Sequence, residues 1–167
     1  MLPAMKLILV RHGIAERSPS SDRERALSPD GRKRTRRAAQ GLSRMVEGKA
    51  RIFSSPYVRA VETAAILAEA LDPRPKVAEL DGLALGTVGE GVLDAVRGAD
   101  ASTVILVGHE PSLGSLASWF LVGNADVRAL FKKSSAMCIG FGGRPGPGKG
   151  RLEWFLPPRV LRHLPAD

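Results

Sequence analysis

The sequence predicts an α/β protein, a three-layer α/β/α sandwich with a minimal lid, whose mostly parallel sheet carries helices on both faces. Two short runs, residues 6–10 and 103–107, are almost entirely apolar, which is typical of strands buried on both faces of a sheet. Segments with apolar residues at helical spacing follow the strand-like runs. This alternation of strand and helix favours a parallel sheet packed between helices.

The first half of the chain contains two strand and helix pairs. The predicted elements are a strand over 6–10, a helix over 29–47, a strand over 51–53 and a helix from 56 up to Pro73. Ser28 and Pro29 are typical of a helix N-cap followed by the first helical position. We expect Ser55 and Pro56 to begin the second helix in the same way. The charged stretch that starts at Arg17 shows no apolar periodicity and predicts a surface loop.

The second half of the chain repeats the pattern and then changes. The predicted elements are a strand over 76–80, a modest helix over 92–98, a strand over 103–107, a helix from Pro111 to Leu121, and strands over 136–141 and 151–156. Because only the loop 142–150 separates the last two strands, we expect them to form a terminal hairpin or a neighbouring pair.

Length and composition restrict the compartment and the partners. The 167 residues suit one domain over 1–167, and 44% hydrophobic content is enough for a buried core. Lys and Arg number 25 against 17 Asp and Glu, a net charge of +8 that favours anionic partners. A lone cysteine, Cys138, excludes an internal disulfide. The first ten residues are too short an apolar run for a signal peptide or membrane span, so we expect a cytoplasmic monomer that contacts no membrane.

Polar residues follow three of the predicted strands at the point where each strand ends. They are Arg11, His12 and Gly13 after the first strand, Ser54, Ser55 and Arg59 after the second, and Gly108 and His109 after the fourth. Ligands of open α/β sheets bind beyond the carboxyl ends of the strands. Two arginines and two histidines that meet there suit a phosphoryl group, because guanidinium groups bind its oxygens and an imidazole can attack phosphorus.

These residues resemble the motifs of the histidine phosphatase superfamily, whose members are phosphoglycerate mutase-like. The resemblance covers Arg-His-Gly at 11–13, Leu-Ser-Pro-Asp-Gly at 27–31, the segment 54–64 around Arg59, and Val-Gly-His-Glu-Pro at 107–111. The small size and the Gly-His-Glu-Pro form are most similar to bacterial phosphohistidine phosphatases. The resemblance implies that His12 is a nucleophile that forms a phosphohistidine intermediate. It further implies that Arg11, Arg59 and His109 hold the phosphoryl group.

The chemistry of these side chains agrees with the implied roles. His12 must be neutral to attack phosphorus, and we expect the neighbouring guanidinium charges to lower its pKa. Those cations also stabilise charge on the phosphoryl oxygens during transfer, so no metal or other cofactor is required. We expect Gly13 to allow close approach of the substrate to the backbone. Ser18 lies where some relatives have a polar contact to phosphate, and we expect His12 itself to be exposed at the end of the sheet.

A proton donor for the leaving group is harder to assign. The candidates are Glu79 and Asp81, at the end of the third strand; the alternative is that both are solvated loop charges. A departing imidazole needs less protonation than a sugar alkoxide, so a phosphohistidine substrate tolerates a site without a strong acid.

Two other motifs are rejected. Residues 143–149 have the spacing of a phosphate-binding P-loop, but Gly150 replaces the required Ser or Thr and a strand is predicted next. The basic residues between Arg32 and Arg37 suit a solvated helix face. With one Tyr and two Trp in the chain there is little for base stacking, so we expect no nucleic-acid binding.

Three hypotheses about function therefore stand. The protein is a phosphatase acting on phosphohistidine of a phosphoprotein, a phosphomonoesterase acting on small phosphate esters, or an inactive phosphate-binding module. Arg59 and His109 are only fifty positions apart, which leaves no room for a large lid. An open site favours the first hypothesis.

Overall fold

A computed structural model of the protein describes residues 4–17, 21–84, 89–126 and 130–164. In chain order the elements are β1 (Met5–Arg11), α1 (Pro29–Ser43), β2 (Ala50–Ser54), α2 (Val58–Ala70), β3 (Lys76–Glu79), α3 (Glu90–Gly98), β4 (Thr103–Gly108), α4 (Ser112–Val122), β5 (Ala136–Phe141), β6 (Arg151–Leu156) and α5 (Pro158–Leu161). Short 3-10 turns cover Asp22–Glu24 and Asp81–Leu83.

The six strands form one sheet in the order β3-β2-β4-β1-β5-β6. The strands β3, β2, β4 and β1 run parallel to one another. On the other side of β1, β5 pairs antiparallel with β1 and β6 pairs antiparallel with β5. In the centre of the sheet Arg11 of β1 lies opposite Gly108 of β4. The residues that follow these two strands, His12 and His109, therefore emerge side by side at the carboxyl end of the parallel strands.

Helices cover both faces of the sheet, which confirms the predicted three-layer sandwich. On one face the buried side chains of α1, α2 and α5 pack on alternate residues of the central strands, such as Ile8 and Ile105. On the other face α3 and α4 pack on the intervening residues, such as Leu7 and Leu106. Successive strand residues point to opposite faces, so burial on both sides explains why β1 and β4 are continuously apolar. Among the described residues no helix is long and apolar enough to cross a membrane.

The structure corrects several predicted helix boundaries. Ser28 caps α1 as expected, because its Oγ accepts a 2.9 Å hydrogen bond from the Gly31 amide. However, α1 ends at Ser43 rather than at 47. Just beyond Ser43 the amide of Met45 donates to the Leu42 carbonyl, three residues back, so the i to i−4 hydrogen bonding of the helix is not continued. The expected cap at Ser55 and Pro56 is wrong: α2 begins at Val58, after an uncapped Tyr57.

The start of α4 and the last element of the chain also differ from expectation. Pro111 precedes α4, which begins at Ser112. The short helix α5 was not predicted; it contains a single buried apolar residue, Leu161, and so lacks a helical pattern that could be recognised. The hairpin of β5 and β6 is confirmed, and a strand rather than a helix follows the rejected P-loop.

Candidate active site

The two histidines lie next to each other at the carboxyl end of the sheet. The backbone amide of His12 donates to the Gly108 carbonyl at 3.1 Å, which continues the pairing of β1 and β4 by one residue. The two imidazole rings have centroids 5.0 Å apart. Both side chains are buried, with 5% of His12 and 2% of His109 exposed. The structure thus brings the two sequence-predicted histidines together, but the expectation that His12 is exposed is wrong.

Hydrogen bonds define the tautomer of His12. Its Nδ1 lies 2.6 Å from the Gly13 carbonyl oxygen, which can only accept, so Nδ1 carries the proton. The Nε of Arg59 donates to His12 Nε2 at 3.3 Å, so Nε2 presents its lone pair. An imidazole in this state is neutral and has Nε2 available as a nucleophile.

The surroundings keep His12 neutral at physiological pH. Burial is the main cause that lowers the pKa of His12 from 6.5 to about 3, although the hydrogen bond to Gly13 acts to raise it. The nearby His109, Arg59 and Arg11 lower the pKa further. The predicted direction of the shift agrees with the structure. The predicted cause, the guanidinium charges, is secondary to desolvation because a buried ring loses the hydration that stabilises its charged form.

His109 is positioned by residues from the loop between β2 and α2. Its Nε2 lies 2.7 Å from the hydroxyl of Ser55, and the ring of Tyr57 packs against it edge-on at 4.8 Å. Burial lowers the pKa of His109 to about 4, and Arg59 and Arg11 contribute in the same direction while Asp22 opposes them. Ser55 therefore orients His109 instead of capping a helix.

Two buried nitrogen atoms of the site have no hydrogen-bond partner among the described residues, Arg11 Nε and His109 Nδ1. The other end of the Arg11 guanidinium is engaged, because Nη1 donates to the Phe131 carbonyl at 2.7 Å. Buried polar atoms are almost always hydrogen-bonded in folded proteins. These two nitrogens, together with the guanidinium of Arg59, are suited to binding an oxyanion such as a phosphoryl group.

Arg59, of which 3% is exposed, also contacts a residue that the sequence did not indicate. Its Nη1 donates to the Asp22 carbonyl at 2.6 Å and its Nη2 to Asp22 Oδ2 at 3.1 Å. Partial burial raises the pKa of Asp22, but the hydrogen bonds from Arg25 and Arg59 outweigh this effect, so the pKa of Asp22 is lowered. Asp22 belongs to the stretch predicted as a surface loop, where an acidic residue among many charges carries no recognisable signal.

The backbone amide of Gly13 is hydrogen-bonded to another residue of the protein. Its amide donates to Thr63 Oγ1 at 3.1 Å, and the same hydroxyl donates to the Arg59 carbonyl at 2.7 Å. A Cβ atom on Gly13 would lie 2.3 Å from Thr35 Oγ1, so close packing against α1 requires glycine here. A direct contact of Gly13 with substrate stays a prediction. Thr63 could have been noticed as a polar residue one helical turn after Arg59.

The predicted acids Glu79 and Asp81 form no hydrogen bond with either histidine ring in the described part of the chain. β3 is separated from β1 by β2 and β4, and both carboxylates are exposed. Neither carboxylate has a hydrogen bond or an ion pair with another residue in the described ranges. Their role as proton donors stays a prediction. Ser18 lies outside the described residues. In the described part of the chain no three His, Cys, Asp or Glu residues form a group that could hold a metal ion.

A mostly parallel sheet between two helical layers, with two neutral histidines and two arginines at the carboxyl end of its parallel strands, is the architecture expected of an enzyme that handles phosphoryl groups. The model of the histidine phosphatase superfamily (branch 1) matches residues 7–90, and the chain belongs to this superfamily of phosphatases.

Relatives support the assignment over most of the chain. An uncharacterized protein of Picosynechococcus is 37% identical over 78% of this chain and 81% of its own length. Phosphohistidine phosphatase SixA of Escherichia coli is 25% identical over 97% and 99%. A structure of the protein histidine phosphatase SixA complexed with tungstate superposes with a TM-score of 0.79, at 24% identity over 94% and 99%. A mycobacterial glucosyl-3-phosphoglycerate phosphatase shares the fold at a TM-score of 0.67, with 19% identity over 90% and 98%.

Proposed function

We propose that this phosphatase hydrolyses phosphohistidine on another protein, without a metal, through a covalent intermediate on His12. The observation that carries the proposal is the state of His12, a neutral ring whose Nε2 lone pair lies against Arg59. Close to it are the unpartnered nitrogens of Arg11 and His109. The arrangement combines a nucleophile with donors for the oxygens of the group it attacks.

In the first step, Nε2 of His12 attacks the phosphorus atom of the substrate. A new N–P bond forms on His12 while the P–N bond of the substrate breaks, and the departing imidazole nitrogen takes up a proton from solvent water. Arg11 and Arg59 neutralise charge on the three non-bridging oxygens during the transfer. Arg59 must exchange its contact with His12 Nε2 for a phosphoryl oxygen, which its remaining N–H groups allow.

In the second step, water attacks the phosphorus atom and the N–P bond to His12 breaks. Inorganic phosphate leaves and His12 regains its Nε2 lone pair, so the cycle is closed without any redox partner. His109 binds a phosphoryl oxygen through Nδ1. The negative charge of the bound group raises the pKa of His109 from its value of about 4 in the free protein, which favours the protonated form of His109 when substrate is bound.

Two features support phosphohistidine as the substrate. The described residues place no carboxylate in hydrogen-bond contact with either histidine ring, and an imidazole leaving group needs less acid assistance than an alkoxide. Phosphohistidine phosphatase SixA is moreover similar to this chain over nearly its full length. A phosphomonoesterase of small metabolites and an inactive phosphate-binding module are the competing hypotheses, and the following experiment separates all three.

The test compares turnover of a phosphohistidine protein with turnover of a panel of sugar phosphates. We expect wild type to prefer phosphohistidine, and His12→Asn to lose at least about 10³-fold in kcat/KM because the nucleophile is gone. His163→Asn is the matched control, because His163 is exposed and its Nδ1 contacts the Arg159 carbonyl rather than a residue of the site. Its activity should equal that of wild type.

Quenching during turnover should trap a base-stable, acid-labile phosphoryl group on His12. Recovery of the label on a serine or on Cys138 would exclude the proposed intermediate. Faster turnover of sugar phosphates would favour the phosphomonoesterase. Phosphate binding without turnover of any substrate would favour the inactive module.

A further inference from the structure

A tight turn before β5 lies against the two site residues at the end of β1. The amide of Ser135 bonds to the Lys132 carbonyl at 2.9 Å, and Ser134 has a positive φ of 62°. This combination is typical of a type II turn, with Lys133 at its apex. The amide of Ser134 donates to the carbonyls of Arg11 and His12 at 3.0 and 3.3 Å.

A side-chain contact holds the same turn from α1. The hydroxyl of Ser134 lies 3.1 Å from Thr35 Oγ1, and both residues are buried. Lys133 is therefore carried on a rigid support beside the phosphoryl site. Its own side chain is exposed.

Lys133 lies in a cluster of positive charge. Partial burial is the largest cause that lowers its pKa, and repulsion by Arg11, Arg25, Arg59 and Arg17 lowers it further. Of these arginines, Arg25 and Arg59 have Asp22 as an ion-pair partner. Lys133 has no ion pair with any carboxylate in the described part of the chain. An exposed ammonium group in this position is available for an anion brought by the substrate.

That anion differs from the phosphoryl group itself. The atoms suited to the phosphoryl oxygens are buried, namely Arg11 Nε and His109 Nδ1, whereas the Lys133 side chain is at the surface. A dianionic phosphoryl group also leaves part of the positive charge of the cluster uncompensated. Complementary charge outside the reacting centre increases association and selects among substrates.

We propose that Lys133 is a specificity residue that binds a carboxylate next to the phosphohistidine of the substrate protein. This inference rests on the proposed function and adds that the substrate surface is acidic around the phosphorylated histidine. Lys133 takes no part in the chemical step, so it affects the choice of substrate rather than the rate of phosphoryl transfer.

The test uses three phosphohistidine peptides of equal length in which the residues flanking phosphohistidine are Asp, Asn or Lys. We expect wild type to prefer the Asp peptide in kcat/KM. Lys133→Gln should lower kcat/KM for the Asp peptide about three- to fivefold, as for a partly exposed ion pair, and leave the Asn peptide within about twofold. The preference of wild type should weaken as ionic strength rises.

Lys132→Gln is the matched control. Lys132 is exposed, and its replacement removes the same charge from the same turn, but Lys132 lines an apolar depression with Phe155 and Pro157. This variant should keep the preference for the Asp peptide. An unchanged midpoint of denaturation will show that neither variant alters folding.

Equal losses for the Asp and Asn peptides would overturn the proposal, because Lys133 would then act on the phosphoryl group. No loss in Lys133→Gln, or the same loss in Lys132→Gln, would also overturn it. If wild type hydrolyses no phosphohistidine peptide, the proposed function fails. The same variants are then compared on two aryl phosphates that differ by one carboxylate. If only Lys133→Gln loses the preference for the carboxylated compound, Lys133 forms a carboxylate site for small substrates. If Lys133→Gln and wild type show the same preference, the site is excluded.

Discussion

Arginines of α1 and arginines at the carboxyl end of the sheet have the same chemistry but opposite surroundings. On α1, Arg34 is exposed and pairs with Asp30 one turn away, at 2.8 Å. Arg59 is buried; its Nη2 pairs with Asp22 at 3.1 Å, while its Nε faces the neutral imidazole of His12. A solvated guanidinium in an exposed ion pair contributes little to stability or binding, whereas a desolvated one beside the candidate nucleophile is positioned to stabilise an anion. Surroundings, rather than residue type, separate a charged surface from a candidate catalytic site.

The largest expected effect of this difference is on activity. Arg59→Gln should lower kcat/KM about 10²- to 10³-fold, because a preorganised donor to the transferring group is lost. Arg34→Gln removes the same charge from the exposed helix and should leave kcat/KM within about twofold. Steady-state kinetics on phosphohistidine measure both. Similar losses in the two variants would mean that overall charge, not the buried site, determines activity.

Burial of His12 predicts a dependence of stability on pH. Its pKa is about 3 in the folded protein and about 6.5 when unfolded, so between these values unfolding takes up a proton. The free energy of unfolding therefore falls as pH decreases below about 6.5. In His12→Asn this contribution is absent, and the fall between pH 7.5 and pH 4.5 should be smaller by on the order of 2 kcal/mol.

Urea denaturation at several pH values measures this slope. Buried His109 contributes in the same direction in both proteins, so only the difference between them reports on His12. Parallel pH profiles for wild type and His12→Asn would contradict the assigned burial and neutral state of His12.

A smaller effect is expected for the exposed carboxylates at the end of β3. The double variant Glu79→Gln, Asp81→Asn should hydrolyse phosphohistidine within about tenfold of wild type, because the imidazole leaving group needs little acid assistance. Substrates with alkoxide leaving groups should slow more if either residue donates a proton. A loss on phosphohistidine as large as that of His12→Asn would make an acid indispensable and favour the phosphomonoesterase.

The smallest effect is expected from metal removal. Activity on phosphohistidine should persist in excess EDTA, since guanidinium and imidazole groups supply the charge stabilisation that a metal would otherwise provide. The assay compares initial rates before and after chelation. Loss of activity that zinc or magnesium restores would contradict the proposed mechanism.

Local patterns predicted the central strands and the positions of four site residues. Continuous apolar runs identified β1 and β4, and the rule that ligands bind beyond strand ends selected Arg11, His12, Arg59 and His109. Helix ends were predicted less well. The interactions that end α1 and begin α2 involve turns and tertiary contacts that leave no simple signal in the sequence.

Residues that surround the candidate nucleophile were not predictable in the same way. Asp22 contacts Arg59 across 37 positions, and Ser55 contacts His109 across 54. Lys133 is placed by a turn whose amide bonds to β1 more than 120 residues earlier in the chain. Each contact depends on how loops fold over the end of the sheet, and charged or small polar residues in loops look alike in a sequence.

The amino-acid sequence by itself determined the layered α/β architecture and the superfamily motifs, because both depend on local periodicity and short motifs. Only the tertiary structure decided the state of the site. The neutral tautomer of His12 depends on desolvation and on the Gly13 carbonyl and Arg59 at its two nitrogens. Desolvation is produced by all the groups packed around a side chain, so it exists only after distant segments of the chain have come together.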